Sequence, residues 1–339
     1  MQEPDPRAID WLQPHFEAAD NLLRFDRFME LCLYDEANGY YGRHVRSIGS
    51  RGDFSTTPTF SPLLAKAVAH SIRLAGLRDV IEIGPGAGDL TLALRRELKP
   101  AFPRFRNRIR YHLVERSPRF QSVLREKFGR SMLIHSRMEE ALQACNGTAF
   151  IFSNELVDAF PVRAFQMEGG QWQELALGAH GTGITEHWIQ EKRLPESTLF
   201  RQAPASGQRY EVHDSYRRWL ESWLPSWKTG CILTIDYGGT PSEIYHRKPA
   251  GTVRGYHHHE RILGSNLYQL PGKHDLTADV NFDDLVHWGE ALGLHLRTLV
   301  TQREYCSPFL QNEPCASDHF LTDPHGAGQA FKVLLQDRN

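Results

Sequence analysis

The stretch DVIEIGPGAGDL, residues 79–90, decides the fold. Its apolar beginning is typical of a buried parallel strand, and residues 90–98 after it have the apolar spacing of a helix. Between them lies a glycine-rich turn, where the backbone can approach a ligand that a Cβ atom would exclude. An α/β sheet forms a nucleotide site in this way, at the carboxyl end of a strand. The sequence therefore predicts an α/β protein with a nucleotide-binding turn.

Two nucleotide-binding patterns compete for this turn. The dinucleotide fingerprint G-x-G-x-x-G/A places Asp89 where a small residue is needed for the helix to pack on the strand. The pattern acid-x-G-x-G-x-G fits without a gap, with Glu82 as the acid. Its glycines are Gly84, Gly86 and Gly88. This pattern resembles motif I of class I S-adenosylmethionine methyltransferases, in which the acid faces the amino end of the methionine. An ordinary strand–helix turn is the alternative, so the rest of the chain decides.

The composition excludes several classes of protein. The 339 residues carry 39 basic and 41 acidic side chains, so no basic surface for nucleic acid or for a membrane is expected. No apolar run approaches the roughly 20 residues that span a bilayer. The N-terminus resembles neither a secretory signal nor a transit peptide. The five scattered cysteines lack C-x-x-C spacing and indicate reduced thiols. We expect a cytoplasmic protein.

Six further apolar runs complete a predicted sheet of seven strands. They are residues 110–115, 132–135, 149–152, 231–235, 294–300 and 331–335. Helical patterns separate the early strands, which favours a mostly parallel sheet with an antiparallel tail. Together with motif I, this predicts the Rossmann-like fold of class I methyltransferases. Helical spacing also predicts two helices within residues 8–34 and one over about 61–74, with Ser61 as its N-cap.

The chain divides at about residue 75. We expect residues 1–75 to form a helical segment with loops that cover the donor, and residues 76–339 to form the methyltransferase domain. Two stretches, about 162–228 and 240–280, are too long for single crossovers and are interpreted as insertions. The first alternates like a β-meander. Because both leave the carboxyl edge of the sheet, we expect both to form a lid over the ligand.

The strands next to the glycine turn supply further donor contacts. Glu115 ends the second strand, where this architecture binds the hydroxyl pair of a ribose. The alternative for Glu115 is a solvated charge at a strand end. Met138, after the third strand, is predicted to border the adenine ring.

The remaining motifs resemble those of the MidA-like methyltransferases, a family that includes the mitochondrial complex I assembly-factor methyltransferase. The resemblance covers roughly residues 25–335. Seven segments carry it in register: Gly39-Tyr40-Tyr41, GDFSTTP at 52–58, EIGPGAG at 82–88, NELVDAFPV at 154–162, Asp236-Tyr237-Gly238, Arg254-Gly255-Tyr256 with His259, and PGKHDLTADV at 271–280. The resemblance implies a class I methyltransferase fold and S-adenosylmethionine as methyl donor. It also implies an arginine of a partner protein as the acceptor, as in the mitochondrial branch.

Several roles follow from the position of residues within these segments. Asp53 and Thr57 are expected to cover the donor, although Asp53 fits a turn former equally well. Asn154 is expected on the donor, with a helix cap as its alternative. His259 matches a family position and is expected on the acceptor side. Its neighbours His257 and His258 suggest a metal, but consecutive residues of an extended loop point to opposite sides, so no metal site is predicted.

Two departures from the family pattern affect the acceptor. Thr59 stands after Pro58 where the family usually has a glutamate. Residues 307–320 are short and carry two prolines where relatives have a longer helical stretch. The resemblance therefore transfers the substrate less well than the donor.

The leading candidates for the acceptor clamp are Glu155 and Asp158. Both follow the fourth strand, where the acceptor should lie next to the methyl group. If residues 155–158 begin a helical turn, the spacing of three places both acids on one face. Carboxylates suit the fork of a guanidinium, which stays charged with a pKa of about 13.8. A simple helix cap is the alternative for Asp158.

Three further acids and a threonine are less decided. Asp236 ends the fifth strand and faces either the site or the neighbouring loop. Asp275, Thr277 and Asp279 either hold the second insertion in place or contact the substrate, with a structural role favoured.

Three functions remain open at this point. The first is a methyltransferase acting on a protein side chain, with arginine favoured. The second is a nicotinamide-dependent oxidoreductase, which needs a small residue at Asp89 and a second mononucleotide half. The third is a non-catalytic assembly factor that keeps the fold.

Overall fold

The structure of the protein is a computed structural model. It describes residues 9–44, 62–98, 109–181, 183–201, 204–205, 207–257 and 260–339. The predicted donor contacts Asp53 and Thr57, the family departure Thr59 and the predicted acceptor residue His259 lie outside the described residues.

Within these ranges the chain forms sixteen strands. They are β1 (Leu23–Arg24), β2 (Asp79–Ile83), β3 (Arg110–Val114), β4 (Leu133–His135), β5 (Thr148–Asn154), β6 (Arg163–Glu168), β7 (Gln171–His180), β8 (Gly183–Gln190), β9 (Arg209–Val212), β10 (Thr229–Gly239), β11 (Arg254–His257), β12 (Glu260–Ile262), β13 (Asp275–Thr277), β14 (Val280–Asn281), β15 (His295–Thr301) and β16 (Phe331–Arg338).

The helices lie between them. They are α1 (Gln13–Ala18), α2 (Phe25–Tyr34), α3 (Leu63–Ala75), α4 (Asp89–Glu97), α5 (Pro118–Phe128), α6 (Met138–Ala144), α7 (Asp214–Trp223), α8 (Pro241–Ile244), α9 (Phe282–Ala291), α10 (Gln302–Cys306), α11 (Ala316–Thr322) and α12 (Ala327–Ala330). A π-helix covers Tyr40–His44, and short 3-10 helices cover Asp10–Leu12, Gly129–Ser131, Val157–Ala159, Thr198–Arg201, Leu224–Ser226, Gly264–Tyr268 and Ser307–Phe309.

The central sheet orders its strands β15-β16-β10-β5-β2-β3-β4. The strands from β10 to β4 run parallel, and β16 runs antiparallel to both of its neighbours. The short strand β14 also pairs with β10, so the described part of this sheet has eight strands, against the seven predicted. The chain moves outward from β2 to β3 and β4 and returns to β5 on the other side of β2. The strand order therefore reverses between β2 and β5, and open α/β sheets bind ligands at such a reversal.

Side chains of β2 alternate between two cores that cover the faces of the sheet. Val80 packs with Leu64 of α3 and Leu94 of α4. Ile81 faces the other way and packs with Leu142 of α6. Burial on both faces is the normal state of a central parallel strand, and it holds the glycine turn on a rigid support.

The first insertion forms a second, antiparallel sheet of order β1-β7-β6-β9, with β8 paired to β7. Its strands β6 to β8 are the predicted meander. Leu23, predicted as helical, lies instead in β1, because it pairs with Leu177 of β7 before α2 begins. The N-terminal segment and the first insertion thus share one sheet and, with Leu276 of the second insertion, one apolar core.

The second insertion forms a small third sheet of order β12-β11-β13.

The helix predicted at about 61–74 is α3, and its predicted cap Ser61 lies outside the described residues. Among the helices of the described ranges, none combines the length and the apolar character needed to span a bilayer.

Candidate active site

A cavity of about 1700 Å³ opens at the carboxyl ends of β2, β3, β5 and β10. Seven sequence-predicted site residues line it: Glu82, Gly84, Gly86, Glu115, Asn154, Glu155 and Asp158. The acid that ends the second predicted strand and the acids after the fourth therefore open onto the same space. The second insertion also lines the cavity, whereas no described residue of the first insertion does.

The glycine turn needs its glycines for backbone reasons. Gly84 and Gly86 have φ angles of 65° and 52°, in the left-handed region that favours glycine. A Cβ atom on Gly84 would lie 2.8 Å from Cδ1 of Leu156. The turn is therefore pressed between the sheet and the loop after β5, and its backbone forms the wall of the cavity.

Two predicted donor residues belong to the packing around the cavity and do not line it. A Cβ atom on Gly88 would lie 2.6 Å from Phe128 and 2.8 Å from Leu124, both on α5. Gly88 therefore allows α4 and α5 to approach each other. Met138 is 2% exposed and lies in the core beneath the sheet with Leu142. Motif spacing finds such residues but does not tell which side of the turn they face.

Two buried carboxylates flank the glycine turn. Glu82 accepts a hydrogen bond from Oγ1 of Thr91, and burial raises its pKa to about 7. Glu115 accepts hydrogen bonds from the backbone N–H groups of Ser117, at 2.8 Å, and of Gly86. Burial raises the pKa of Glu115 to about 7 as well. Both acids are thus held by their own local elements and lie ready to accept hydrogen bonds from a ligand.

Next to the glycine turn, the cavity also has a hydrogen-bond acceptor without a partner among the described residues. Oδ1 of Asn154 is buried and has no hydrogen-bond partner within the described residues. A buried acceptor of this kind costs free energy unless a ligand or water donates to it. Together with Glu82, Glu115 and the turn, it fits a ligand that carries amino and hydroxyl donors, as S-adenosylmethionine does.

The loop after β5 is shaped by Asp236. This residue is fully buried at the end of β10 and accepts hydrogen bonds from the backbone N–H groups of Leu156, Val157 and Asp158 at 3.1, 2.8 and 3.4 Å. A carboxylate at the start of a short helix stabilises its free N–H groups. The 3-10 helix accordingly begins at Val157.

The prediction that a helical turn begins at residue 155 is therefore wrong, because the helix begins at Val157. Glu155 precedes the 3-10 helix and has a φ of 53°, in the left-handed region. Glu155 and Asp158 line one cavity because of this bend, and not because of helical spacing.

Asp158 is 6% exposed and only half satisfied. Its Oδ2 accepts hydrogen bonds from the hydroxyl of Tyr237 and from Oγ1 of Thr277. Its Oδ1 is buried and has no partner among the described residues. Burial raises the pKa of Asp158 from its usual range. The carboxylate is thus fixed in place with one oxygen left for a ligand.

Sequence reasoning missed the side chains that surround these acids. Tyr41 donates a hydrogen bond of 2.9 Å to Oδ1 of Asp275, and both residues line the cavity. Tyr237 and Arg254 line it too, with the guanidinium of Arg254 4.7 Å from the centre of the Tyr237 ring. The only signal for them was their place in the family segments, which does not tell a lining residue from a structural one.

No group of three or more His, Cys, Asp or Glu side chains able to hold a metal ion occurs within the described residues.

The comparisons with known proteins agree with this geometry. The sequence profile of a family of S-adenosyl-L-methionine-dependent methyltransferases matches residues 63–300. This chain belongs to that family. S-adenosylmethionine is therefore its methyl donor.

Two relatives and one solved structure illustrate the family. The protein arginine methyltransferase NDUFAF7 homolog, mitochondrial, of Drosophila melanogaster is 25% identical, over 91% of this chain and 79% of that protein. The protein of the same name from Caenorhabditis elegans is 23% identical, over 75% of this chain and 65% of that protein. A COG1565 superfamily member from Burkholderia thailandensis, bound to S-adenosyl-homocysteine, has a TM-score of 0.85 at 23% identity and covers 100% of this chain and 95% of its own. The last similarity confirms the fold.

Proposed function

We propose that this methyltransferase modifies arginine side chains of a partner protein. One observation carries the proposal: the carboxylates of Glu155, Asp158 and Asp275 line the same cavity as the glycine turn. The names of the two curated relatives support it, since both are called protein arginine methyltransferases.

The donor side of the cavity suits its ligand through backbone and carboxylate contacts. We assign Glu82 to the amino end of the methionine and Glu115 to the ribose hydroxyls. Asn154 is assigned to a further group of the ligand that donates a hydrogen bond. Gly84 and Gly86 let the backbone pass close beneath it. When bound, S-adenosylmethionine supplies a methyl group on a sulfonium, which transfers by in-line displacement.

The acceptor side must orient a charged guanidinium and take up the proton that it loses. A guanidinium is charged at neutral pH, with a pKa of about 13.8, and pairs with carboxylates. In this proposal Glu155 and Asp158 fix its plane so that one nitrogen faces the methyl group. As the N–C bond forms and the S–C bond breaks, that nitrogen releases one proton to a neighbouring carboxylate, and S-adenosylhomocysteine leaves. Such positioning accounts for several orders of magnitude in rate when it brings the two reacting atoms into line.

Glu155→Gln tests the proposal. Lysate proteins are incubated with the enzyme and with S-adenosylmethionine labelled in the methyl group, and the labelled residue is identified after hydrolysis. We expect label in methylarginine with the wild type and about a 100-fold lower rate with the variant, because the neutral amide holds the guanidinium poorly. The affinity for S-adenosylhomocysteine should change less than twofold.

Glu196→Gln is the matched control. Glu196 is half-exposed, pairs with Arg217 and does not line the cavity, so this variant should transfer methyl groups like the wild type. Label in methyllysine would contradict the arginine assignment. Donor binding without any labelled protein would favour the non-catalytic assembly factor.

A further inference from the structure

The second insertion brings the Asp275 carboxylate to the cavity beside Asp158. Asp275 begins β13, and Thr277 at its end donates a hydrogen bond of 2.9 Å to Oδ2 of Asp158. The next backbone N–H, of Ala278, donates to the carbonyl oxygen of Asp158 at 3.2 Å. The strand is therefore docked on the 3-10 helix after β5, and the position of one acid fixes that of the other.

No described cation neutralises these two acids by direct pairing. The nearby cations Arg254 and Lys248 both pair with Asp279, at 2.6 Å each. Neither Asp158 nor Asp275 forms an ion pair within the described part of the chain, and both are buried. Arg254 acts on Asp158 only at a distance, where its charge lowers the pKa that burial raises. A buried carboxylate without a direct ion pair is costly unless a ligand provides one.

Tyrosine hydroxyls hold both carboxylates in place. Tyr41 donates to Oδ1 of Asp275, and Tyr237 donates to Oδ2 of Asp158. A phenolic donor fixes the orientation of a carboxylate and leaves its negative charge in place. The two acids are thus preorganised for a cation. Burial, and after it the charge of Asp158, raises the pKa of Asp275 to about 7, which agrees with their closeness.

The number and arrangement of donors distinguish between cations at two such acids. Asp275 and Thr277 lie on one face of β13, and Thr277 contacts the Asp158 carboxylate. A guanidinium carries five N–H donors in a planar fork, so it can bond to a different carboxylate at each of two edges. An ammonium carries its three donors on a single nitrogen and has no such fork.

We propose that Asp275 is an acceptor-binding residue that pairs with Asp158 across the cation and selects a guanidinium over an ammonium. This inference rests on the proposed function and adds to it a residue on an element distant from the glycine turn and from the loop after β5. Asp158 binds one edge of the guanidinium with its open oxygen, and Asp275 binds the other.

Binding of two blocked tripeptides, one with a central arginine and one with a central lysine, tests the selection. Each is titrated into the complex of the full chain with S-adenosylhomocysteine and followed by NMR. The wild type should bind the arginine peptide at least tenfold more tightly than the lysine peptide. Asp275→Asn should weaken arginine binding about tenfold and remove the preference. Tyr41→Phe should weaken it about threefold, because Asp275 loses its fixed orientation.

Two matched variants serve as controls outside the cavity. Asp284→Asn alters another buried aspartate, which holds Ser197 and Thr198. Tyr268→Phe removes another tyrosine–carboxylate hydrogen bond, to Glu186 at 2.8 Å. Both should keep arginine binding within twofold, and all variants should keep their affinity for S-adenosylhomocysteine.

The outcomes separate the inference from the proposed function. If Asp275→Asn and Tyr41→Phe both bind the arginine peptide like the wild type, Asp275 is structural and the inference fails, while arginine methylation by the wild type still stands. If the wild type itself prefers lysine, the proposed function fails together with the inference. Should Asp275→Asn not fold, Tyr41→Phe decides the question, because it leaves the carboxylate in place.

Discussion

The two halves of the cavity are built on different principles. On the donor side, the backbone of one turn at Gly84 and Gly86 forms the wall, and Glu115 is held by backbone N–H groups near it in space. On the proposed acceptor side, side chains from distant segments hold one another, as Tyr237 and Thr277 hold Asp158. The donor half is therefore local and common to a large family, whereas the acceptor half depends on how two loops meet.

The two halves therefore differ in which substitutions they tolerate. A backbone wall accepts few substitutions, since a side chain on the turn must adopt the left-handed conformation and, at Gly84, displace Leu156. A network of side chains can change one member at a time and alter the acceptor without disturbing the donor. The three predictions below test this contrast.

The largest effect is expected for Gly86→Val. Gly86 has a φ of 52° and lines the cavity, so a branched side chain there is strained and also occupies the space of the ligand. We expect the affinity for S-adenosylhomocysteine, measured by calorimetry, to fall at least 1000-fold, about 4 kcal/mol.

Gly170→Val is the control for strain alone. Gly170 has a φ of 77° in the turn between β6 and β7, with no atom within 4 Å of its added Cβ. This variant should bind the donor like the wild type. If Gly86→Val binds S-adenosylhomocysteine like the wild type, the methyl donor does not lie on the glycine turn.

A second effect is expected in the pH dependence of stability. The folded chain holds the Glu115 pKa at about 7, against 4.5 for the free side chain, because the acid is buried. The folded state therefore binds this proton more tightly than the unfolded state, and the free energy of unfolding falls as pH rises from about 4.5 to about 7. The contribution reaches about 3 kcal/mol.

Urea unfolding at about pH 5 and about pH 8 measures it. Glu115→Gln has no proton to lose, so the difference between the two pH values should be smaller in this variant by up to about 3 kcal/mol. Glu126→Gln, on the exposed face of α5, should leave the difference as in the wild type. An unchanged pH dependence in Glu115→Gln would show that this carboxyl is hydrated.

The smallest effect is expected for Tyr237→Phe. The variant removes the hydroxyl that donates to Asp158 and leaves the ring beneath Arg254. We expect methyl transfer to fall about tenfold, equivalent to the loss of one hydrogen bond to a charged group. Donor affinity should stay within twofold. A parallel loss of donor affinity would mean that the two halves are coupled, and Tyr268→Phe controls for a lost tyrosine hydroxyl elsewhere.

Much of the fold was predictable from local patterns. The strands at Asp79–Ile83 and Arg110–Val114 and the helix at Leu63–Ala75 follow from apolar runs and helical spacing that tertiary contacts only reinforce. Leu23 was not predictable in this way, because its strand partner Leu177 lies far away in the chain. A local helical pattern is overridden where a long-range strand pairing buries more apolar surface.

The candidate site divides along the same line. Glu82 is recognisable as the acid of the glycine motif, and Glu115 as the last residue of the second predicted strand. Gly88 fits the motif and yet packs against α5, since a pattern of spacing does not specify which face of a turn meets the ligand. The sequence favours a structural role for Asp275 over contact with the substrate, because nothing near it in the chain shows that Tyr41 donates to it or that it shares a cavity with Asp158.

The chemistry of the methyl donor could be read from the residue pattern alone. A glycine turn after a buried strand can be recognised within about a dozen residues, because backbone conformation and strand position are local properties. The shape of the proposed acceptor side depends on long-range contacts. The reversal of strand order beside β2 brings the loop after β5 to the turn, and the folding of the second insertion brings Asp275 to the cavity that Asp158 lines. These are contacts between segments far apart in the chain, and no local pattern of residues encodes them.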